Sequence, residues 1–376
     1  MTTPLSPAEL ASLAPAYIRS IAAYQPGKPI SDVARELGIN EAEIVKLASN
    51  ENPLGASPKA IAAIQAALGE LAMYPDGGAF ALKAAISAKF GVATEQIIVG
   101  NGSNDILELA ARTFMKAGDT AIYAQHAFAV YPLATQAVGA KGIEVPAKDF
   151  GNDLDAMLRS IRADTKMVFL ANPNNPTGTF IAGPTLHAFV QQVPQNVLVV
   201  LDEAYGEYLG ASDVYDSVPW LAELPNVIIS HTLSKAYGLA GLRIGFGLAH
   251  PQLIDLMNRV RQPFNVNHLA MVAAVAALDD DAFIRESRRV NDTGLSLLRT
   301  ELAKRNLRTL PAFGNFITFR IENAKCVFEA LLKQGVIVRP IAGYGLPDYL
   351  RVTVGTEAQN RRFLSALDHA RVQQER

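Results

Sequence analysis

The stretch S-H-T-L-S-K-A-Y-G-L-A-G-L-R-I-G-F-G, Ser230 to Gly247, places one lysine shortly after a β-rich run. Hydroxyl side chains precede Lys235 at Thr232 and Ser234, small residues follow it, and Arg243 stands eight positions later. A lysine that follows a strand, among hydroxyl groups and near an arginine, is rarely only a surface charge. We therefore expect Lys235 to carry chemistry at the end of a buried strand.

Short apolar runs rich in β-branched residues alternate with helical patterns from about Thr94 onward. Buried parallel strands have such continuous apolar runs, and helices between them cover both faces of the sheet. The pattern predicts an α/β fold, with a mostly parallel seven-stranded sheet in a large domain and a smaller α+β domain after it. The predicted strands are Gln96 to Gly100, Thr120 to Tyr123, Gly142 to Val145, Lys166 to Ala171, Val197 to Asp202, Val227 to Ser230 and Arg243 to Ala249.

Three regions are expected along the chain. Residues 1–45, with five prolines in the first thirty positions, predict an N-terminal arm that also supplies part of the small domain. Residues 46–268 are the predicted large domain and residues 269–376 the predicted small domain. Further strands are expected at Asn315 to Arg320, Val336 to Arg339 and Tyr349 to Val354.

One helix near the start of the large domain has a clear N-terminal signal. Ser57 is a typical N-cap residue and Pro58 a typical first helical residue. The apolar face of this helix is predicted from side chains at helical spacing, namely Ile61, Ile64, Leu68 and Leu71.

The composition excludes several classes of protein. The chain has 376 residues, of which 49% are hydrophobic and 19% charged, and its formal net charge is −2, so nothing points to nucleic acid as a partner. The N-terminal segment lacks the pattern of a signal peptide, and no window reaches the roughly 18 apolar residues of a membrane span. A cytoplasmic location without membrane contact is therefore expected. The single cysteine, Cys326, excludes an intrachain disulfide and a cysteine-based metal site, and its surroundings predict simple packing.

Polar residues follow three of the predicted strands, where ligands bind in open parallel sheets. G-N-G-S-N-D, Gly100 to Asp105, can present backbone amides to a phosphate, although a structural turn is an equally good interpretation. A-N-P-N-N-P-T-G, Ala171 to Gly178, is a turn in which Asn175 can donate to a ligand oxygen. D-E-A-Y, Asp202 to Tyr205, places a carboxylate after an apolar strand, where it needs a partner unless it only caps a helix.

Together these groups suit one cofactor. Pyridoxal phosphate requires an imine-forming lysine, a carboxylate beside its pyridinium nitrogen and an anchor for its phosphate. Lys235 and Asp202 can supply the first two, and the 100–105 loop with Arg243 can supply the third. The sequence therefore predicts an enzyme that uses pyridoxal phosphate.

The same motifs resemble those of the fold-type I pyridoxal-phosphate aminotransferases, and within that family those of the histidinol-phosphate aminotransferases. The matching segments extend over nearly the whole chain. They are A-S-N-E-N-P-L-G near position 50, G-N-G-S-N-D at 100, N-P-N-N-P-T-G at 172, D-E-A-Y at 202, S-K-A-Y-G-L-A-G-L-R-I-G at 234 and Y-L-R-V-T-V-G-T at 349. The resemblance implies a fold-type I architecture and transaminase activity.

The resemblance also assigns cofactor contacts. It makes Lys235 the lysine that bonds to pyridoxal phosphate and carries the proton during catalysis. Asp202 would pair with the pyridine nitrogen, and Tyr205 and Asn175 would contact the ring O3′. The residues expected around the cofactor phosphate are Gly102, Ser103, Asn104, Thr232, Ser234 and Arg243.

Substrate contacts and a homodimer are implied in the same way. Arg351 resembles the arginine that binds the substrate α-carboxylate in this fold type, and histidinol phosphate carries a phosphate ester at that place. Arg339 and Tyr24 match further contacts to the substrate phosphate, with a surface ion pair as the alternative for Arg339. Asn52 is another candidate for substrate binding. Tyr74 resembles the tyrosine that reaches the cofactor phosphate of the neighbouring subunit.

One segment departs from the family pattern. Where an aromatic residue often stacks on the cofactor ring, this chain has Q-H-A-F-A-V-Y, Gln125 to Tyr131. We assign His126 to that place because imidazole is flat and can stack. Phe128 and Tyr131 are the alternatives.

The predicted activity is transfer of an amino group between L-histidinol phosphate and 2-oxoglutarate, a reaction of histidine biosynthesis. An aromatic amino acid such as phenylalanine is the alternative substrate, and a phospho-amino-acid decarboxylase is a third hypothesis. A nucleotide-binding oxidoreductase would need a third glycine where Asp105 stands. A non-catalytic regulator would need a basic DNA-binding module, and none precedes residue 46 or follows residue 349.

Overall fold

The computed structural model describes residues 5–23 and 27–374. Helices α1 to α15 are Pro7–Ser12, Ala16–Arg19, Ile30–Leu37, Pro58–Ala67, Phe80–Phe90, Ser103–Phe114, Val130–Ala137, Leu154–Arg159, Gly183–Gln192, Trp220–Glu223, Pro251–Val260, His268–Leu278, Asp281–Lys304, Ala324–Lys333 and Glu357–Gln374. Strands β1 to β12 are Val45–Lys46, Ile97–Gly100, Thr120–Ala124, Lys141–Val145, Thr165–Ala171, Leu198–Asp202, Val227–Thr232, Gly245–Ala249, Phe316–Arg320, Val336–Ile337, Arg339–Pro340 and Tyr349–Thr353. Short 3₁₀ turns are Glu41–Glu43, Leu68–Glu70, Thr94–Gln96, Gly206–Tyr208, Ala240–Leu242 and Ala342–Tyr344. In these ranges, no helix is long and apolar enough to cross a membrane.

The central sheet has seven strands in the order β2-β8-β7-β6-β5-β3-β4. Strand β8 runs antiparallel to both of its neighbours, and the remaining pairs are parallel. The prediction of an α/β fold with a mostly parallel seven-stranded sheet is confirmed, and each predicted strand overlaps an observed one. Because β8 is reversed, its first residue, Gly245, pairs with the last residues of β2 and β7. Arg243 lies just before that strand, with a positive φ of 58°.

Both faces of this sheet are buried. Successive side chains of a strand point to opposite faces, and Val168 and Leu170 belong to one apolar cluster while Met167 and Phe169 belong to another. Helices on each side complete the two clusters, with Ile86 of α5 among the residues of the first. Burial on both sides explains why these strands are continuously apolar in sequence.

A smaller sheet lies in the C-terminal part, with the order β11-β12-β9 and antiparallel pairing. Its core includes Phe319 of β9 and Phe363 of α15. The predicted strand Val336 to Arg339 is divided into β10 and β11, and β10 pairs in parallel with β1 from the N-terminal region. The predicted domain boundaries at residues 46 and 268 remain a prediction.

Helix α4 begins as expected, but its apolar face is only partly the predicted one. The Ser57 hydroxyl accepts a hydrogen bond from the amide of Ala60 at 3.2 Å, as an N-cap should. The buried residues of α4 are Ala60 and Ala67, which allow it to pack closely on α12. Of the four predicted face residues, Ile64 is partly buried against the central core. The other three are exposed, namely Ile61 by 43%, Leu68 by 50% and Leu71 by 60%.

The packing predicted for Cys326 is also wrong, because this side chain is exposed. Helix α14 buries Ala324, Val327 and Leu331, which share one helical face at spacings of three and four residues. Cys326 lies off that face. The apolar residues around Cys326 indicate a helix correctly, but they do not show which face of that helix carries the cysteine.

Phe363→Ala tests the core of the smaller sheet. Phe363 is fully buried, and its ring centroid lies 6.1 Å from that of Phe319. Truncation should lower the free energy of unfolding by about 3–5 kcal/mol, because it leaves a cavity. Val372, on the same helix, is 52% exposed. Val372→Ala should therefore change the free energy by less than about 0.5 kcal/mol. Urea unfolding followed by circular dichroism measures both, and equal effects would contradict this description of the core.

Candidate active site

One cavity of about 270 Å³ lies at the edge where β5, β6 and β7 end and where α6 begins. Strands that run in parallel end at the same edge, which is why residues distant in sequence meet there. The predicted site residues that line the cavity are Ser103, Asn104, Asn175, Asp202, Tyr205, Thr232, Ser234, Lys235, Arg243, Arg339 and Arg351. The fold therefore brings most of the predicted site together.

Lys235 lies in the turn between β7 and β8. Its Nζ donates a hydrogen bond to the carbonyl oxygen of Ser49 at 3.0 Å. Burial and, to a lesser extent, the nearby charge of Arg351 lower the pKa of Lys235 to about 8, while Glu51 acts in the opposite direction. An amine must lose its proton before it can attack a carbonyl carbon. The lowered pKa therefore increases the nucleophilic fraction of Lys235 near neutral pH.

Asp202 is the last residue of β6 and is only 5% exposed. Its Oδ2 accepts a hydrogen bond from the Tyr131 hydroxyl at 2.8 Å, and its Oδ1 accepts one from the Ala204 amide at 3.3 Å. Burial raises the pKa of Asp202 to about 6, while these two hydrogen bonds and the charge of Lys235 oppose that rise. At neutral pH the carboxyl is ionised, and it is suited to a cationic partner.

Tyr205 lies deeper in the site, with its ring edge-on to that of Phe316 at 5.4 Å between centroids. Its hydroxyl accepts a hydrogen bond from Nδ2 of Asn50 at 2.8 Å. Burial raises the pKa of Tyr205 to about 12, so its hydroxyl keeps its proton and can donate to a ligand oxygen. Lys235 Nζ lies 6.0 Å from the centre of the Tyr205 ring.

A cradle of donors surrounds the start of α6. Gly102, the N-cap residue, has a φ of 83°, and a Cβ at this position would lie 2.5 Å from Nη2 of Arg243. Glycine is therefore required for the guanidinium to approach the helix start. Arg243 Nη1 donates to Ser234 Oγ at 3.3 Å, and the Ser234 amide donates to Thr232 Oγ1 at 3.2 Å. Helix amides, hydroxyl groups and a guanidinium around one point are suited to a phosphate.

Two arginines face the same cavity from the smaller sheet. Arg339 and Arg351 are direct partners in the antiparallel register of β11 and β12. Arg351 is 6% exposed, and it donates to Oδ1 of Asn175 and to the carbonyl oxygen of Ala48. Like charges at facing positions of neighbouring strands repel each other, and an anion bound by both relieves that repulsion.

The structure corrects the assignment of His126. This side chain is buried, does not line the cavity, and has its Nδ1 2.6 Å from the carbonyl oxygen of Tyr344. Phe128, one of the two alternatives, does line the cavity. Tyr131 lines it too, but its ring is stacked on another aromatic ring of the core. Phe128 is therefore the better candidate for contact with a bound ring.

Asn52 also has a different place from the one predicted. Its Nδ2 donates to the carbonyl oxygen of Ala236 at 2.9 Å and to Ser287 Oγ at 2.8 Å, while its Oδ1 accepts from the Leu54 amide. These contacts occupy both hydrogens of the amide group, and Asn52 does not line the cavity. In the structure it stabilises the turn that follows Lys235.

The two remaining predicted site residues are Tyr74 and Tyr24. Tyr74 is 83% exposed, and its ring is stacked on that of Phe264 at 4.9 Å. It does not line the cavity within its own chain. Tyr24 lies outside the described residues.

Three residues have contacts in the site that the sequence did not indicate, although Tyr131 is named there as an alternative for ring stacking. Asn50 holds the hydroxyl of Tyr205, Tyr131 holds the carboxylate of Asp202, and Tyr344 lines the cavity. Asn50 stands in a segment that carries the family resemblance and Tyr131 in the one that departs from it, and neither segment indicates which of its side chains holds another. Tyr344 lies in a short 3₁₀ turn after β11, and no local sequence signal marks it.

These residues fit pyridoxal phosphate. At the start of α6, Gly102 leaves room for the Arg243 guanidinium because it lacks a Cβ, and the donors there match a phosphate group. Asp202 is a buried carboxylate that can pair with a pyridinium nitrogen, and Lys235 is an amine with a lowered pKa in the same cavity. Phosphate anchor, carboxylate and amine are the three groups that this cofactor needs.

Comparisons with known proteins agree with this chemistry. The family model described as "Aminotransferase class I and II" matches residues 42–367. The histidinol-phosphate aminotransferase of Methylobacillus flagellatus is 58% identical, over 96% of this chain and 97% of that protein. Histidinol-phosphate aminotransferase 2 of Nitrosospira multiformis is 55% identical, over 95% and 92%. The crystal structure of histidinol-phosphate aminotransferase from Sinorhizobium meliloti in complex with pyridoxal-5'-phosphate has a TM-score of 0.88 and 26% identity, over 96% of this chain and 97% of that one. This chain belongs to the class I and II aminotransferase family.

Proposed function

We propose that this chain uses pyridoxal phosphate to transfer the amino group of L-histidinol phosphate to 2-oxoglutarate, giving imidazole acetol phosphate and L-glutamate. The observation that carries the proposal is the pair of facing arginines, Arg339 and Arg351, in the cavity that also contains Lys235. A phosphate ester can accept hydrogen bonds from two guanidinium groups at once. The names of relatives at 55–58% identity support the same substrate.

Each residue of the site has a part in this reaction. Bound pyridoxal phosphate would supply the electron sink that allows a proton to leave the substrate Cα. Lys235 Nζ, with its lowered pKa, takes that proton from histidinol phosphate and returns one to the Cα of the glutamate that forms. The Asp202 carboxylate would balance the positive charge of the cofactor's ring nitrogen, and the Tyr205 hydroxyl would donate to its ring oxygen. Arg351 binds the α-carboxylate of 2-oxoglutarate in the second half-reaction.

Lys235→Ala tests the central role. The purified protein should have an absorbance band of bound cofactor in the visible or near ultraviolet. The variant should lose that band, and its transamination should fall by about a thousandfold or more, because both the imine-forming group and the proton carrier are removed.

The control is Lys304→Ala, which removes an exposed lysine of α13 that pairs with Glu301. It should keep both the band and the activity. A wild-type protein that has no such band would overturn the role of the cofactor.

Arg339→Gln tests the substrate. It should raise the KM for histidinol phosphate by about 10- to 100-fold, because a hydrogen-bonded charge partner of the phosphate is lost. The half-reaction with glutamate should change much less. Bleaching of the cofactor band in a single turnover measures both, and Arg320→Gln, an exposed arginine on the neighbouring part of the same sheet, is the control.

The same measurement separates the rival substrates. Histidinol phosphate should react faster than phenylalanine with the wild-type protein. The reverse order would indicate an aromatic amino acid aminotransferase. Release of carbon dioxide without an oxo acid product would indicate a decarboxylase.

A homodimer is the second part of the proposal. The segment around α4 and α5 exposes large apolar side chains, including Met73 by 74%, Tyr74 by 83% and Phe80 by 78%, and Phe264 lies against Tyr74. Exposed apolar patches of this kind are typical of protein interfaces. This surface adjoins the phosphate cradle, since Asn265 Nδ2 donates to the Asp105 carboxylate at 2.8 Å. Tyr74 of one copy would reach the cofactor phosphate of the other.

A cytoplasmic location remains a prediction.

Phe80→Asp tests the interface. A charge at the centre of a buried apolar contact should convert a dimer into a monomer, as measured by analytical ultracentrifugation. Val372→Asp, at an exposed apolar position on α15, should leave the dimer intact. Tyr74→Phe should keep the dimer but weaken cofactor binding by about tenfold, because one hydrogen bond to the phosphate is lost. A monomeric wild type would contradict the proposal.

A further inference from the structure

Tyr131 is the closest hydrogen-bonding partner of Asp202 among the described residues. Its hydroxyl lies 2.8 Å from Asp202 Oδ2, while the Ala204 amide lies 3.3 Å from Oδ1. Ala204 lies in the same turn as Asp202, so this contact is local and does not depend on the packing of another element. Tyr131 comes from α7, a different element, so this contact exists only when α7 is packed correctly on the sheet.

The Tyr131 ring is held firmly. It is fully buried and stacked on Phe169 of β5, with 5.0 Å between centroids and an angle of 5° between planes. Phe128 meets its edge at 5.9 Å and 85°. Thr135 Oγ1 donates to the backbone carbonyl of Tyr131 at 2.8 Å, which fixes the helix turn. The hydroxyl is therefore directed at Asp202 without freedom to swing away.

In this hydrogen bond the Tyr131 hydroxyl is always the donor and the Asp202 carboxylate the acceptor. Burial and the neighbouring Asp202 hold the pKa of Tyr131 well above its ordinary value, so this hydroxyl is always protonated and donates. The other titratable groups near Asp202 are Lys235 and Tyr205, and Tyr344 faces the two tyrosines. Lys235 opposes the effect of burial by its charge, but it must lose that charge to act as a base. The Tyr131 hydroxyl is the constant support of the carboxylate.

We propose that Tyr131 is a positioning residue, whose hydroxyl holds the Asp202 carboxylate in place and in its charged form beside the cofactor ring nitrogen. This inference rests on the proposed role of Asp202. Burial raises the pKa of Asp202, and the hydrogen bond from Tyr131 opposes this effect. Without the hydroxyl, the pKa of Asp202 should therefore rise above about 6. Below its pKa the carboxyl is neutral and cannot pair with a pyridinium. The pH at which the protein begins to lose its cofactor should therefore move upward.

Tyr131→Phe keeps the ring stacked on Phe169 and removes only the oxygen. Holoenzyme is dialysed against buffers from acid to mildly alkaline pH, and the retained cofactor is measured by absorbance. The midpoint of cofactor loss should rise by about one to two pH units relative to wild type, which is the effect of one hydrogen bond to a charged group. Retention at mildly alkaline pH should match that of the wild type.

Two further variants make the result decisive. Tyr123→Phe removes another buried tyrosine hydroxyl, on β3 of the same sheet and outside the cavity, and should leave the profile unchanged. Asp202→Asn should weaken retention throughout, and Tyr131→Phe should add nothing in that background.

Each remaining outcome has one meaning. An unchanged profile for Tyr131→Phe, or a loss that is equal at every pH, would overturn the positioning role. If Asp202→Asn itself retained cofactor as well as the wild type does, the proposed role of Asp202 would fail instead.

Discussion

The burial of one carboxylate, Asp202, at the end of a central strand is the constraint on which the site depends. A charge there is unfavourable unless donors and cations surround it. The chain meets this need from several elements, with the Tyr131 hydroxyl, the Ala204 amide and the charge of Lys235. A cationic ring placed in the same cavity completes the set. Stability and chemistry are thus joined, because a carboxylate that is unfavourable to bury alone is also suited to pair with a cationic ring nitrogen.

The reversed strand β8 solves a second problem. A sheet of only parallel strands would begin β8 at the opposite edge, far from the cofactor site. Its antiparallel direction brings Arg243 and Gly245 to the edge where the other strands end. A Cβ at Gly245 would lie 2.6 Å from the Ser103 amide, so glycine permits the start of α6 to approach the strand. Phosphate anchor and reactive amine therefore lie within one cavity.

Particular residues show how far sequence reasoning extends. The strand ends located Asp202, Asn175 and Lys235 correctly in the cavity, because buried strands leave a plain apolar signature before the polar residues that follow them. His126 and Asn52 do not line the cavity, although the sequence pattern predicts both as site residues. Their neighbours Phe128 and Asn50 take the cavity positions. In loops without regular periodicity, a shift of two residues changes which side chain faces the ligand, and no sequence pattern reveals it.

The sequence by itself determined the class of fold, the order of the strands along the chain and the chemical groups of the cofactor site. These follow from local patterns, because a strand buried on both faces is a continuous apolar run and the polar residues at its end come directly after it in the sequence. Only the tertiary structure decided which arginines face each other, which aromatic ring lines the cavity and that Tyr131 holds Asp202. Such contacts join residues of different elements, and Tyr131 and Asp202 are 71 positions apart. Their geometry depends on how helices and sheets pack, which no single segment specifies.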